Sequence, residues 1–332
     1  MKKIIFLLPN NVSGSPALGR VNSFIDFYRK KGFYIETMLY PSSRVEFISL
    51  LKRVFTNRVD YIFISQPPFS YPMIFAIPFL KKIVDYRDGW SIAQESGYGG
   101  VVENKPLKAK ISRMIERFAI KRSYCAITCT SGLEQYLSKI SNCKLLLIPN
   151  GVNDKDLNLI NDLKLKELPQ QANSDCLTFC CAGQFSEYGK DKVKIVLQKI
   201  SDRYQDKELK ILLIGSDKEE NNWVKQYFSQ LTLGRGIVEI LPRMEKKELF
   251  ITMLKANFGL TILRDPSYEF GTKVYDYIAL GLPIVNYFDK PNNFTNYFDI
   301  CLDEPFGTNK KVPEIRRSKL ISNVLDAQKD FQ

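Results

Sequence analysis

The chain has 332 residues, 45% apolar and 25% charged, which is enough for two globular domains with cores of their own and too apolar for a disordered or fibrous protein. Histidine is absent, which excludes the Ser-His-Asp triad, the Cys-His pair and every His-ligated metal site. The net charge is +12, and all of the excess lies in the first half: residues 1–150 carry 22 Lys and Arg against 10 Asp and Glu, while residues 151–332 carry 26 of each. Such asymmetry points to an anionic partner there, whether nucleic acid, an anionic bilayer or a phosphorylated substrate.

Met1-Lys2-Lys3 followed by the apolar run 4–8 imitates a signal peptide. Five apolar residues closed by Pro9-Asn10-Asn11 fall short of the core of about 7–15 that such a peptide needs, so a buried first strand is the better reading. Further strands are predicted at 34–39, 61–64, 83–86, 125–130 and 145–148, with helices at 19–31, 45–56, 107–122 and 131–139 between them. The apolar run 71–80 is too short to span a bilayer and is broken by Pro72 and Pro78. Residues 94–100 (Gln94-Glu95-Ser96-Gly97-Tyr98-Gly99-Gly100) are flexible by composition, either a loop that closes over an acceptor or an ordinary surface loop.

A polar stretch, 154–175, reads as a linker, and its Asp154-Lys155-Asp156 as a solvated turn. The alternation then restarts with strands at 177–181, 209–214, 237–241, 258–262 and 283–286. Buried strands joined by helical crossovers predict two α/β domains of the doubly wound, Rossmann-like kind, each with a parallel sheet, facing across a cleft. The division is 1–152, 153–315 and a C-terminal helix in 316–332 that can pack back on the first domain. The seven cysteines (125, 129, 143, 176, 180, 181 and 301) form no Cys-x-x-Cys pair and sit mostly in apolar runs, as reduced thiols of a cytoplasmic protein do.

In doubly wound folds ligands sit at the carboxyl ends of strands, beside helix N-termini. The most informative stretch, Glu269-Phe270-Gly271-Thr272-Lys273-Val274-Tyr275-Asp276-Tyr277-Ile278-Ala279-Leu280-Gly281-Leu282-Pro283, has that setting. A helix begins at about Lys273 and stops at Gly281. Backbone N–H groups at Gly271, Thr272 and Lys273 form a ready anion site, and Lys273 adds a charge-assisted donor. Asp276, three residues on, shares a face with Lys273 and can accept two ribose hydroxyls. A surface helix with a glycine cap is the plainer alternative.

This stretch resembles the donor-site signature of glycosyltransferase family 4, in which Glu, seven residues and Glu precede Ala-x-Gly-x-Pro. Ala279, Gly281 and Pro283 match the tail, Asp276 takes the place of the second Glu, and the first falls at Tyr268 with Glu269 one residue late. Ile148-Pro149-Asn150-Gly151-Val152 resembles the family's interdomain junction, and Ile115-Glu116-Arg117 with Ser131-Gly132-Leu133-Glu134 the segment before it. Val84-Asp85-Tyr86-Arg87-Asp88-Gly89-Trp90 looks like the acceptor-side loop, with Arg87-Asp88 where many members carry His-Asp. Cys181-Ala182-Gly183-Gln184-Phe185 and Lys190 resemble the first strand and loop of the donor domain, with Gln184 in place of the usual Arg.

The resemblance implies the GT-B fold and a retaining, metal-independent glycosyltransferase without cofactor, one that uses a nucleotide-sugar donor. It further implies bacterial O-antigen or capsule synthesis, and the basic first half fits a lipid-diphosphate-linked glycan acceptor. Gly183, Gln184, Lys190, Gly215, Arg243, Tyr268, Gly271, Thr272 and Asp276 are the donor-side candidates; Gly14, Arg87 and Trp90 are the acceptor-side ones. Lys273, Glu269 and Asp88 are the catalytic candidates, Asp88 as base, as orienter of the acceptor hydroxyl or as a helix cap.

Two basic amphipathic stretches, 45–55 and 105–122, admit two readings: an apolar stripe facing the core, or helices resting on an anionic bilayer. With the charge split, the second is favoured and makes the protein peripheral on the inner face of the cell membrane. A nucleic-acid partner lacks any zinc finger, RNP aromatic set or GXXG clamp. A non-catalytic scaffold of the same fold and a nucleotide-sugar 2-epimerase are the competing readings.

Overall fold

The computed structural model describes residues 1–8, 16–65, 69, 71–100, 105–166, 176–183, 185–288, 290–298 and 313–328. The chain divides into two compact units, Met1–Asn153 with Arg316–Gln332, and Asp154–Ile315.

The first unit contains β1 (Lys3–Leu8), α1 (Pro16–Lys30), β2 (Tyr34–Leu39), α2 (Arg44–Asn57), β3 (Tyr61–Ile64), a 3-10 turn (Pro72–Ala76), β4 (Lys81–Tyr86), α3 (Trp90–Gly100), α4 (Pro106–Lys121), β5 (Cys125–Thr128), α5 (Ser131–Ile140) and β6 (Lys144–Leu147). All six strands are parallel, in the order β2-β1-β3-β4-β5-β6. The central strands are buried along nearly all of their length, as β-branched and aromatic runs covered on both sides must be. Right-handed crossovers place the elements from α2 to α5 on one face of the sheet and α1 on the other. On the α1 face Phe6, Phe24, Tyr28 and Phe63 form the core, closed by Leu320, Ile321 and Leu325 of the last described helix, Arg317–Leu325.

The second unit contains α6 (Asp154–Lys166), β7 (Cys176–Ala182), a 3-10 turn (Phe185–Tyr188), α7 (Lys190–Arg203), β8 (Glu208–Ile214), α8 (Lys218–Leu231), β9 (Gly236–Leu241), α9 (Lys246–Leu254), β10 (Phe258–Leu260), α10 (Lys273–Leu280), β11 (Ile284–Val285) and α11 (Asn293–Phe298); the first unit's Arg317–Leu325 is α12. Its five strands are again all parallel, ordered β11-β10-β7-β8-β9, around a core of Phe179, Val196, Leu213, Val224 and Phe228. Among the described residues no helix is long and apolar enough to cross a membrane.

Three expectations are corrected. Residues 94–100 are not a loop but most of α3, in which Gly97 has a positive φ (+58°). Packing on α4 outweighs a glycine cost of about 1 kcal/mol each: Ser112 donates to Gln94 Oε1 (2.8 Å), Lys105 N to Gln94 O (2.8 Å), and Arg113 pairs with Glu95. Residues 154–166 are not a linker but helix α6, because Leu157, Ile160 and Leu163, three apart, bury one stripe. Asp154-Lys155-Asp156 is therefore the first turn of that helix, where carboxylates face the positive end of its dipole, and Asp156 is ion-paired with Lys246. Residues 167–175 lie outside the described residues.

Candidate functional site

Parallel strands deliver all their carboxyl ends to one edge. In the second unit that edge collects Gly183 after β7, Gly215 after β8, Arg243 after β9, and the loop 261–272 that runs from β10 into α10. Ser216 ties the first two together: its hydroxyl donates to Gly183 O (2.8 Å) and accepts from Phe185 N (3.3 Å). Gly183 sits at φ +131°, a backbone state side chains avoid, and a Cβ there would meet the Tyr188 hydroxyl at 3.0 Å. A cleft of about 540 Å³ opens beyond β9, lined by Leu241, Pro242, Arg243, Met244, Glu245 and Glu248.

The start of α10 is the electropositive feature. Gly271, at φ +68°, turns the chain into the helix, and Thr272 is the N-cap without a side-chain capping bond. Among the described residues, the N–H groups of Gly271, Thr272 and Lys273 meet no protein acceptor. Orphan donors at a helix start combine with the dipole to favour an anion. Lys273 and Asp276 form a half-exposed ion pair (3.0 Å), so both lie on the face the sequence predicts.

Tyr277 anchors this helix from below. Its hydroxyl accepts from Ala182 N (2.9 Å) at the end of β7 and reaches Leu260 O (3.4 Å) at the end of β10. The ring fits because residue 259 is glycine; a Cβ there would stand 2.4 Å from the ring. Burial raises the phenol's pKa well above its ordinary value, so Tyr277 stays neutral and keeps its proton. At the other end of α10, Gly281 (φ +80°) terminates the helix and Lys164 of α6 donates to Ala279 O (2.6 Å).

The loop before α10 is held by charge. Arg264 grips Glu269 with two bonds (3.0 and 3.1 Å), and Lys192 of α7 donates to Arg264 O. Burial lowers the pKa of Lys192, opposed by the nearby Asp265 and Glu269 carboxylates. Glu269 is thus engaged within its own loop. Tyr268 lies half-buried in the same turn, where its N–H donates to Asp265 O (3.1 Å). Lys190, exposed at the first residue of α7, places its ammonium 5.6 Å over the Trp223 ring.

In the first unit, Arg87 and Asp88 follow β4, and Trp90 opens α3. Arg87 Nε lies 3.5 Å from Asp85, a fully buried carboxylate that also receives both Arg20 Nε (3.0 and 3.2 Å) and Ser65 Oγ (3.1 Å). Asp88 is exposed and, among the described residues, makes no side-chain hydrogen bond to the start of α3, so the cap reading finds no bond to support it. The base of the loop is set by Glu116, buried on α4, which accepts from Tyr86 Oη (2.6 Å), Ser91 N (3.0 Å), Ser91 Oγ (2.5 Å) and Tyr136 Oη (2.6 Å). Cys129, whose thiol donates to Arg87 O (3.5 Å), is buried, its pKa pushed up to about 12 by desolvation, which makes it inert at neutral pH.

Gly271, Thr272, Lys273 and Asp276 are therefore brought together at one helix start, and Gly183 with Gly215 at one strand edge. Gly14 and Gln184 lie outside the described residues. Sequence reasoning missed Tyr277, Gly259, Ser216 and Lys192. A signal existed for Tyr277, four residues after Lys273 and so on the same side of the helix.

No family model and no curated protein matches the chain. Solved structures do. Sucrose-phosphate synthase from Thermosynechococcus elongatus is 16% identical with a TM-score of 0.60, the match covering 100% of this chain and 91% of that one. Alr3699/HepE from Anabaena, solved in complex with UDP, is 11% identical with a TM-score of 0.57 and coverage of 100% and 92%. WaaG, a glycosyltransferase involved in lipopolysaccharide biosynthesis, is 11% identical with a TM-score of 0.55 and coverage of 99% and 91%. With two Rossmann-like parallel-sheet units in one chain, these likenesses establish the GT-B fold.

Proposed function

We propose that the protein is a glycosyltransferase that moves a sugar from a nucleotide-sugar donor to a glycan acceptor. The observation that carries this reading is the start of α10, where three N–H groups without a partner among the described residues converge with Lys273 at the strand edge that ligands occupy in this kind of fold. In the reaction the bond from the anomeric carbon to the diphosphate breaks and a bond to the acceptor oxygen forms. The acceptor's proton passes to the departing phosphate, on the face it leaves from, so the configuration is retained. Negative charge grows on that phosphate, and fixed donors aimed at it lower the barrier. Backbone N–H groups and Lys273 meet the charge without a metal ion or cofactor.

Asp276 is the receiver of ribose hydroxyls on the donor, at the expense of its pairing with Lys273. The strand-end backbone at Gly183 and Gly215 lets the donor approach closely; Gln184, Arg243 and its cleft, Tyr268 and Lys190 are the remaining donor-side residues. The first unit is the acceptor side, with Gly14, Arg87 and Trp90 as its candidate acceptor residues and Asp88, exposed and unpaired among the described residues, as the side chain that orients the acceptor hydroxyl. The acceptor is a lipid-diphosphate-linked glycan of bacterial surface-polysaccharide synthesis, reached by a peripheral protein at the inner face of an anionic membrane. The +12 charge of residues 1–150 supports that half of the reading.

A non-catalytic scaffold is the second reading, favoured by the grip of Arg264 on Glu269. Nucleoside diphosphate release from a panel of nucleotide sugars, with and without lipid-linked acceptors, separates the two. Release that needs both one sugar donor and an acceptor supports transfer. Tight donor binding with no release in any combination supports the scaffold.

A further inference from the structure

Helix α4 carries an apolar stripe on its outer side. Its buried positions are Ala109, Ser112, Glu116, Ala119 and Ile120, mostly small or polar. Of its six large apolar residues only Ile120 is buried and Ile115 and Phe118 are half-buried, while Leu107, Ile111 and Met114 are 79%, 59% and 67% exposed. At about 100° per residue those three fall within about 60° of one another, on the side opposite the buried one. A helix made only to cover a sheet carries these residues inward.

The pattern extends beyond α4. On the same face of the sheet, α2 buries Leu50 and Val54 but leaves Ile48 and Phe55 exposed. Between the two helices runs the 3-10 turn, which packs on α4 and is linked to α2 by the contact of Tyr71 with Phe47 (ring centroids 5.0 Å). Just after that turn Phe79 stands 85% exposed with φ at +52°, an unfavourable backbone state for a bulky residue. Exposed apolar side chains thus run across α2, the turn and α4, a distribution that marks an interaction surface.

Charge selects the partner. Lys110, Arg117 and Lys121 are exposed along one flank of the α4 stripe, with Lys108 and Arg122 along the other. The one acidic residue of the helix, Glu116, is buried and spent on Tyr86, Ser91 and Tyr136. Two copies meeting through this face would set like charges against each other, whereas an anionic lipid surface satisfies both the apolar stripe and its basic flanks.

We infer that the α2–α4 face of the first unit lies on an anionic bilayer, with Leu107, Ile111 and Met114 entering the acyl boundary and the flanking basic side chains at the headgroups. This deepens the acceptor-side reading and rests on it for its purpose, but it does not depend on the donor site. The test is sedimentation of the full chain with vesicles of phosphatidylcholine alone and of equal parts phosphatidylglycerol and phosphatidylcholine, with UDP binding measured in parallel.

The wild-type chain is expected to bind the anionic vesicles at low salt and the neutral ones far more weakly. Leu107→Ser/Ile111→Ser/Met114→Ser lowers anionic-vesicle binding at least tenfold, and Lys110→Glu/Arg117→Glu/Lys121→Glu removes the preference for phosphatidylglycerol. These exposed changes leave UDP binding and the thermal midpoint as they are. Anionic-vesicle binding unaltered by the apolar triple change overturns the inference. So does a wild-type chain that ignores vesicles but self-associates until those residues are replaced, which makes the face a protein interface. Either result leaves the donor site untouched, and vesicle binding without any UDP binding fails the donor reading alone.

Discussion

At the carboxyl ends of its strands the first unit buries charge. Arg20 is 1% exposed, spans both oxygens of Asp85, and donates onward to Ile148 O (2.8 Å) and Pro149 O (3.0 Å); Glu116 is equally hidden and takes four hydrogen bonds. The second unit leaves the same edge open. There the chain turns through glycines with positive φ at 183, 215 and 271, and its ion pairs, Lys273–Asp276 and Arg264–Glu269, stay partly exposed. Buried, saturated charge fixes a loop in place, while an open backbone and half-solvated charge are free to exchange partners with a ligand. One edge is built as a frame, and on the function proposed above the other is a receptor.

Removing a partner from the frame has the largest expected effect. Arg20→Ala strands the Asp85 carboxylate in the interior and costs about 3–5 kcal/mol, read as a drop in the denaturant midpoint of the first unit while UDP binding by the second persists. A loss of less than about 1 kcal/mol would place the pair among weak surface bridges and break the contrast. Glu116→Gln keeps one acceptor oxygen but turns the other into an NH2 that can only donate, facing groups that now donate to it: Tyr86 and Ser91, or Ser91 and Tyr136. It costs about 1.5–3 kcal/mol, measurable as a lower Tm and faster amide exchange at the start of α3.

The receptor edge answers differently. Gly259→Ala drives a methyl into the Tyr277 ring and costs about 1–3 kcal/mol, and because Tyr277 joins α10 to β7 and β10, UDP affinity falls with it. A stability loss with UDP affinity unchanged would show that Tyr277 holds the core and not the site. The smallest effect is at the far end of α10: Lys164→Met removes a cation from the helix C-terminus, about 0.3–1 kcal/mol of stability, with little change in UDP binding.

The sequence carried the alternation of strands and helices, because parallel strands covered on both faces are short continuous apolar runs and need no partner to be recognised. It also carried the helix start at Lys273, since Gly271 and Gly281 bracket it. Glycine content misled at 94–100, where contacts of Gln94 and Glu95 with Ser112 and Arg113 override propensity. Polarity misled at 154–166, although Leu157, Ile160 and Leu163 were spaced to be read. Arg20 with Asp85 and Gly259 with Tyr277 were illegible for a different reason: partners 65 and 18 residues apart in the chain meet only through the sheet. The outward apolar face of α4 had both readings open, since periodicity gives a stripe but not which way it points.

The central claim is that the start of α10 grips a diphosphate, and calorimetric titration of UDP into the wild-type chain and Lys273→Ala tests it most directly. The account predicts binding by the wild type, at least a tenfold loss in the variant, about 1.4 kcal/mol, and an unchanged thermal midpoint because Lys273 is partly exposed. Equal affinity in the two proteins, or no binding by the wild type, would contradict it.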